Sequence, residues 1–141
     1  FVTEISDSTG ETAERVIKAA LSQFYEEDVR SLLMEISDVD FAFMDCGANY
    51  GYHSCFTNSK SGGCRPTIAI EADHQNFEVL RYNRRLNGEQ FCIRHNAIHS
   101  KSGEHVTIYG AKHEAFSMVE QNSIPRGSVN TLAISALATW L

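Results

Sequence analysis

The chain has 141 residues, of which 43% are hydrophobic and 21% are charged. This composition is typical of one globular domain with a real hydrophobic core. The chain has 18 acidic and 12 basic residues and thus a net charge of −6. This charge argues against a nucleic-acid-binding surface. No apolar run has the length of a signal peptide or a membrane span, so we expect no membrane partner and a cytoplasmic location.

The four cysteines, Cys46, Cys55, Cys64 and Cys92, form no C-x-x-C pair, so we expect no zinc site. Cys46 and Cys92 fall in or beside predicted strands and are expected to be buried as small apolar side chains. Reduced thiols are the expectation for all four. A disulfide between Cys55 and Cys64 stays open as an alternative.

Residues 1–37 are predicted to form a helical segment. Ser8 and Glu11 have the spacing of a capping box, and apolar residues then recur every three or four positions. This pattern predicts an amphipathic helix over about Thr9–Glu26. A shorter helix is predicted over Asp28–Ile36, with its apolar side formed by Val29, Leu32, Leu33 and Ile36.

The first part of this segment, Ile5–Glu14 and Ala19–Phe24, resembles the amino terminus of the pyruvate, phosphate dikinase regulatory proteins. That resemblance implies a bifunctional kinase/phosphorylase with a later P-loop. The sequence contains no G-x-x-x-x-G-K-[ST] motif, so the regulatory activity does not carry over with the resemblance. A regulatory fragment related to these proteins remains an alternative hypothesis.

The next segment begins with the apolar run Phe41–Met44, which is followed by Asp45 and by a loop containing Gly47, Asn49 and Gly51. A continuous apolar run predicts a parallel strand buried on both faces. The glycines permit a tight turn into a helix and a close approach of backbone to ligand. We therefore expect a ligand site at the carboxyl end of this strand.

The downstream elements continue the α/β pattern. After a loop at Ser59–Gly63, Thr67–Glu71 is predicted to form a second strand, and Asp73 to cap a helix over His74–Asn87 that ends at Gly88. An acid at the end of a second strand can accept hydrogen bonds from ribose hydroxyls. Capping of the next helix is the alternative role for Glu71, but Asp73 already occupies that position.

Phe91–His95 is predicted to form a third parallel strand, followed by Asn96. Asn96 either offers its amide to an adenine ring or serves as a local turn residue. His95 and His99 are four residues apart but lie at a strand exit, so no metal site is expected. The remaining predicted elements are a strand at His105–Tyr109, a loop-rich region over 110–128 with a turn at Pro125–Gly127, an extended piece at Ser128–Thr131, and a helix at Ala133–Leu141 anchored by Leu137, Trp140 and Leu141.

Taken together, residues 38–141 resemble the FkbM family of S-adenosylmethionine-dependent methyltransferases. The resemblance is carried by Asp45–Tyr52, Ile68–Asp73, Asn76–Leu80, Asn87–Gly88 and Asn96–Ile98. It implies a Rossmann-like methyltransferase fold, an α/β fold with a parallel sheet flanked by helices, and S-adenosylmethionine as the cofactor. A dinucleotide site would instead prefer G-x-G-x-x-G, and here Asn49 occupies the central position.

This resemblance implies roles for individual residues. Gly47 and Gly51 would admit the methionine portion of the cofactor, Asp45 and Asn49 would orient its polar groups, and Glu71 would hold the ribose. We expect methylation of an oxygen in a small-molecule or glycan acceptor, with a non-catalytic cofactor-binding module as the alternative. The acid-rich strand motif that comes next in the family does not occur, so we expect a domain truncated after its cofactor-binding half. We therefore assign no catalytic base. An incomplete sheet would have an open edge, through which we expect the protein to self-associate.

Overall fold

The computed structural model describes residues 26–88, 90–110, 118 and 124–137. The helix predicted over Thr9–Glu26 lies outside these ranges except for its last residue, as do the predicted capping box at Ser8 and the predicted anchors Trp140 and Leu141. The described residues form a mixed α/β structure in which a parallel sheet is flanked by helices.

The elements in chain order are α1 (Glu27–Glu35), β1 (Phe43–Cys46), α2 (Tyr52–Asn58), a 3-10 turn (Lys60–Gly62), β2 (Thr67–Glu71), α3 (His74–Leu86), β3 (Cys92–His95), β4 (Ala97–His99), β5 (His105–Tyr109), β6 (Pro125–Ala133) and α4 (Ile134–Leu137). The predicted second strand is confirmed at both ends. The predicted first and third strands and the helices predicted over Asp28–Ile36 and His74–Asn87 are confirmed with small shifts at their ends. Of the helix predicted over Ala133–Leu141, Ile134–Leu137 forms α4, Ala133 instead ends β6, and the last four residues lie outside the described ranges.

The first sheet has the order β1-β2-β3 and is parallel throughout. Its central strand, β2, is buried at all five positions, as a strand covered on both faces must be. Because side chains alternate along a strand, Ala69 and Glu71 share one face with Asp45, the register partner of Ala69. Ile68 and Ile70 lie on the opposite face.

The second sheet has the order β4-β6-β5, with β4 parallel and β5 antiparallel to β6. The turn predicted at Pro125–Gly127 is wrong, because these residues begin the nine-residue strand β6. These residues are extended because they pair with β5, where Gly127 lies opposite Ile108. Pro125 is the first residue of the strand, a position at which its missing N–H is tolerated. The predicted strand His105–Tyr109 is confirmed, with Ile108 buried.

Two apolar clusters cover the two faces of the first sheet. On one face Ala69 packs with Cys55 of α2 and Leu80 of α3. On the other face Ile68 and Ile70 pack against Leu137, which confirms Leu137 as a buried anchor. The first sheet therefore lies between the helices α2 and α3 on one side and the C-terminal elements on the other.

Several predictions about exposure and loops are wrong. Cys46 and Cys92 are exposed because β1 and β3 are the two edge strands of the first sheet. All four thiols are free, so Cys55 and Cys64 form no disulfide. Of the predicted apolar side of α1, Leu33 is buried but Leu32 is 56% exposed.

The predicted flexible loop at Ser59–Gly63 is instead built around the 3-10 turn. The side chain of Ser59 accepts a hydrogen bond from the backbone N–H of Gly62. A Cβ at Gly62 would lie 2.2 Å from the carbonyl oxygen of Phe56, so the turn packs directly against α2. Glycine is thus required at this position for close packing.

Candidate functional site

The loop between β1 and α2 folds over the carboxyl end of β2. The backbone N–H groups of Gly47 and Ala48 both donate to the carbonyl oxygen of Ile70, each at 2.9 Å. Gly47, Asn49 and Gly51 have φ values of 81°, 50° and 80°, in the left-handed region that glycine and asparagine tolerate best. The alternation of small or amide residues in this stretch therefore matches the backbone that the turn requires.

The two glycines of this loop are needed for different reasons. A Cβ at Gly51 would lie 2.3 Å from Cδ1 of Leu80, which is fully buried in α3. A Cβ at Gly47 would meet no atom within 4 Å. Gly51 thus lets α3 pack against the loop, whereas Gly47 leaves open space next to the backbone.

The carboxylate of Glu71 lies at the carboxyl end of β2 and is held by backbone N–H groups. Its Oε2 accepts a hydrogen bond from Asn49 N–H at 2.8 Å, and its Oε1 accepts one from Asp73 N–H at 2.7 Å. The residue is 5% exposed, and this burial raises the pKa of Glu71 although backbone hydrogen bonds from Asp73, Asn49 and Ala72 oppose the rise. The carboxylate is therefore fixed in position within the first sheet's carboxyl edge.

Asp45 occupies the same face of the sheet one strand away. Its Oδ2 accepts a hydrogen bond from the hydroxyl of Ser54 at 2.6 Å, and Ser54 is completely buried in α2. Burial raises the pKa of Asp45, an effect that the Ser54 hydroxyl and the nearby His53 partly offset. No local pattern predicts a role for Ser54, because its contact with Asp45 depends on how α2 packs against β1.

Asn49 contributes a second unusual polar group. Its side-chain oxygen Oδ1 is buried and finds no hydrogen-bond partner within the described part of the chain. A buried acceptor of this kind is costly when it is left unpaired. A ligand N–H or O–H at this loop would satisfy it.

Asn96 lies beside the site, but its side chain has another contact. Its backbone N–H donates to the carbonyl oxygen of Glu71 at 3.1 Å, which places it next to the end of β2. The side-chain amide donates to the carbonyl oxygen of Asn130 at 3.0 Å and so joins β6. The structure therefore brings Asp45, Gly47, Asn49, Gly51 and Glu71 to one edge, while contact of Asn96 with a ligand stays a prediction.

The structure confirms the predicted role of Asp73 as the N-terminal cap of α3. Its Oδ1 accepts hydrogen bonds from the backbone N–H groups of Gln75 and Asn76, both at 3.0 Å. No local pattern predicts a further contact, which joins Asp73 Oδ2 to Arg126 Nε at 3.5 Å. These residues are far apart in the chain, so only the packing of β6 against α3 brings them together.

His95 is the register partner of Glu71 on β3. Its ring stacks on Phe77 of α3 with a centroid separation of 4.9 Å, and its Nε2 lies 3.0 Å from the carbonyl oxygen of Ala72. This arrangement packs the amino-terminal half of α3 onto the end of the sheet, directly beside the Glu71 carboxylate. His95 therefore helps to set the shape of the site.

Within the described ranges, no group of three or more His, Cys, Asp or Glu side chains is placed to hold a metal ion. A helix with the length and apolarity needed to cross a membrane is likewise absent from the part of the chain that the structure describes.

Comparison with known proteins gives only short matches. The chain is 81% identical over 26 residues to a pyruvate, phosphate dikinase regulatory protein of Pelobacter propionicus, and 77% identical over 26 residues to that of Trichlorobacter lovleyi. These matches cover 18% of the chain but only 9% and 10% of those proteins. They support the resemblance noted for the N-terminal segment.

No protein-family model matches the chain, and no solved structure matches it. The chain spans about a tenth of the length of the curated relatives that it matches. The resemblance to FkbM methyltransferases accordingly rests on the motif residues themselves.

Proposed function

We propose that residues 38–141 form the cofactor-binding half of an S-adenosylmethionine-dependent methyltransferase with a Rossmann-like fold, similar to the FkbM family. One observation carries the proposal: the Glu71 carboxylate is fixed by the N–H groups of Asn49 and Asp73. It lies beside a loop with positive φ values at the carboxyl end of a parallel sheet. This is the position at which open α/β sheets bind nucleosides.

The hydrogen-bonding capacity of Glu71 suits a ribose. A carboxylate has about four lone-pair positions. The N–H groups of Asn49 and Asp73 each use one, and the backbone of Ala72 also donates to the carboxylate. The carboxylate therefore keeps capacity for a further hydrogen bond, which a ribose hydroxyl can donate.

The other residues of the site fit the methionine end of the cofactor. The Asp45 carboxylate can pair with an ammonium group, and the buried Oδ1 of Asn49 can accept a hydrogen bond. The open space at Gly47 allows a ligand to contact the backbone directly. Asn49 stands where a dinucleotide-binding loop would have its central glycine, which favours the adenosyl sulfonium over NAD.

The cofactor, when bound, supplies a methyl group activated for transfer. The residues of this chain would bind and orient it, and such positioning can lower a barrier by roughly 7–11 kcal/mol when it is tight. We assign no catalytic base. The acceptor that the resemblance implies is a hydroxyl of a small molecule or glycan, and the four free thiols support a reducing, cytoplasmic location.

The similarity to dikinase regulatory proteins supports no second function, because it involves only 26 residues. A cofactor-binding module without catalysis would differ from the proposed methyltransferase only in that it transfers no methyl group. A protein that binds the cofactor yet transfers no methyl group to any hydroxyl acceptor offered would be such a module.

Isothermal titration calorimetry with S-adenosylmethionine and S-adenosylhomocysteine tests the proposal. We expect Glu71→Ala to raise the Kd for both by about 10- to 100-fold, because hydrogen bonds to a charged group contribute about 1.5–3 kcal/mol. Glu78→Gln is the matched control, since Glu78 lies on α3 and pairs with Arg81 at 2.6 Å. Absence of binding by the unmodified chain, or equal affinities for the Glu71 and Glu78 variants, would refute the assignment.

A second pair of variants tests the loop. Gly47→Val fills the open space and is expected to abolish binding. Gly103→Val is its control, because Gly103 also has a positive φ, 83°, with no atom near a built Cβ. The two variants therefore carry similar backbone strain, and only the first should affect affinity. Thermal unfolding followed by circular dichroism checks that both still fold.

A further inference from the structure

Arg126 of β6 lies against the amino-terminal end of α3. Its Nη2 donates to the side-chain oxygen of Gln75 at 2.8 Å, and its Nε is 3.5 Å from Oδ2 of Asp73. The Asp73 side chain is 4% exposed and that of Arg126 is 25% exposed. This ion pair is therefore partly shielded from solvent, unlike a pair on an open surface.

Asp73 connects Arg126 to the proposed ligand site. Its Oδ1 caps α3, its backbone N–H donates to Oε1 of Glu71, and its Oδ2 faces Arg126. One of the backbone donors that fix the Glu71 carboxylate thus belongs to a residue that β6 holds from the other side. A shift of Asp73 would move a hydrogen-bond donor of Glu71.

The charges near Glu71 also link Arg126 to the ligand site. Burial raises the pKa of Glu71 most, and the charge of Asp73 adds to that rise. Asp45 of β1 lies on the same sheet face as Glu71, His95 is its register partner on β3, and His74 of α3 contacts the ring of His95. Arg126 supplies a positive charge next to Asp73 and so opposes its effect on Glu71.

We propose that Arg126 is a positioning residue for the ligand site: by holding Asp73, it keeps the Glu71 carboxylate aligned and charged for binding hydroxyl groups. The ligand's identity as an adenosyl compound rests on the proposed function. The positioning itself rests on the contacts among Arg126, Asp73 and Glu71.

The first test measures the affinity for S-adenosylhomocysteine by calorimetry. Arg126→Gln is expected to raise the Kd by roughly three- to tenfold, the range of a partly shielded ion pair, and Arg126→Lys should restore most of the loss. Arg81→Gln removes the same charge from the exposed pair on α3 and should leave the Kd unchanged. Equal affinities for the Arg126→Gln and Arg81→Gln variants would overturn the proposal.

The second test needs no ligand. The pKa of the Glu71 carboxyl, followed by carbon-13 NMR, is expected to rise in Arg126→Gln and to stay unchanged in Arg81→Gln. Amide hydrogen exchange at Gln75 and Asn76 should also become faster in Arg126→Gln. These shifts in a chain that does not bind S-adenosylhomocysteine would support the positioning role and refute the proposed function, whereas an unshifted Glu71 titration would refute the positioning role.

Discussion

Replacement of Gly51 by alanine should destabilise the protein far more than the same replacement at Gly47. Both glycines have φ near 80°, so an alanine at either site incurs backbone strain of roughly 1–2 kcal/mol. At Gly51 the added Cβ would also lie 2.3 Å from Cδ1 of Leu80, whereas at Gly47 it meets nothing within 4 Å.

The size of the difference follows from packing. Leu80 is fully buried among Ala48, Cys55, Ala69 and Phe91, so its side chain cannot move aside without disturbing the core. Overpacking of this kind costs about 1–3 kcal/mol. We therefore expect Gly51→Ala to lower the free energy of unfolding by about 2–5 kcal/mol and Gly47→Ala by about 1–2 kcal/mol.

Urea denaturation followed by far-ultraviolet circular dichroism measures both values. A double-mutant cycle isolates the clash: in a Leu80→Ala background, Gly51→Ala should cost only the backbone strain. The expected coupling between the two positions is about 1–3 kcal/mol. Equal destabilisation by the two alanine variants, or zero coupling, would refute the packing explanation for Gly51.

Four further predictions concern charge, capping and assembly. Burial raises the pKa of Glu71 above its usual 4.5, so affinity for S-adenosylhomocysteine should fall as the pH drops through that raised value. Calorimetry at several pH values should show the midpoint of this loss above pH 4.5, and a midpoint below that pH would contradict the prediction. Burial also raises the pKa of Asp45 above 3.8. Acidification should therefore stabilise the unmodified protein relative to Asp45→Asn, because protonation of Asp45 removes the buried charge. If the difference in free energy of unfolding between the two proteins, measured by urea denaturation, does not change with pH, the prediction is excluded. Asp73→Ala removes the cap of α3 and should cost about 0.5–2 kcal/mol, whereas Asp73→Asn keeps the cap, loses only the ion pair with Arg126, and should cost less. Finally, within the described residues β1 and β3 each pair on one side only, so light scattering should detect self-association through a sheet edge, and a monodisperse monomer would contradict it.

Local sequence patterns predicted the elements of the first sheet well. The apolar run before Asp45 gave β1, the boundaries of β2 were correct, and the Asp73 cap and Gly88 termination bounded α3. These features depend on neighbouring residues, because strand burial, capping bonds and positive φ values leave direct traces in residue type.

Predictions failed where distant segments determine the structure. The turn expected at Pro125–Gly127 became part of β6 because β5 supplied a pairing partner. The exposure of Cys46 and Cys92 depends on which strands form the edges of the sheet, and strand order is not encoded in a single stretch of sequence.

The candidate site shows the same division. The sequence by itself determined the residues of the loop and the acid at the end of β2, since each follows from a local pattern of glycine, amide and carboxylate side chains. Only the tertiary structure decided that Gly51 is required for contact with Leu80, that Asn96 binds β6, and that Arg126 reaches Asp73. These contacts join segments that meet only when the sheets and helices pack, because burial of apolar surface brings together residues whose types alone do not specify their partners.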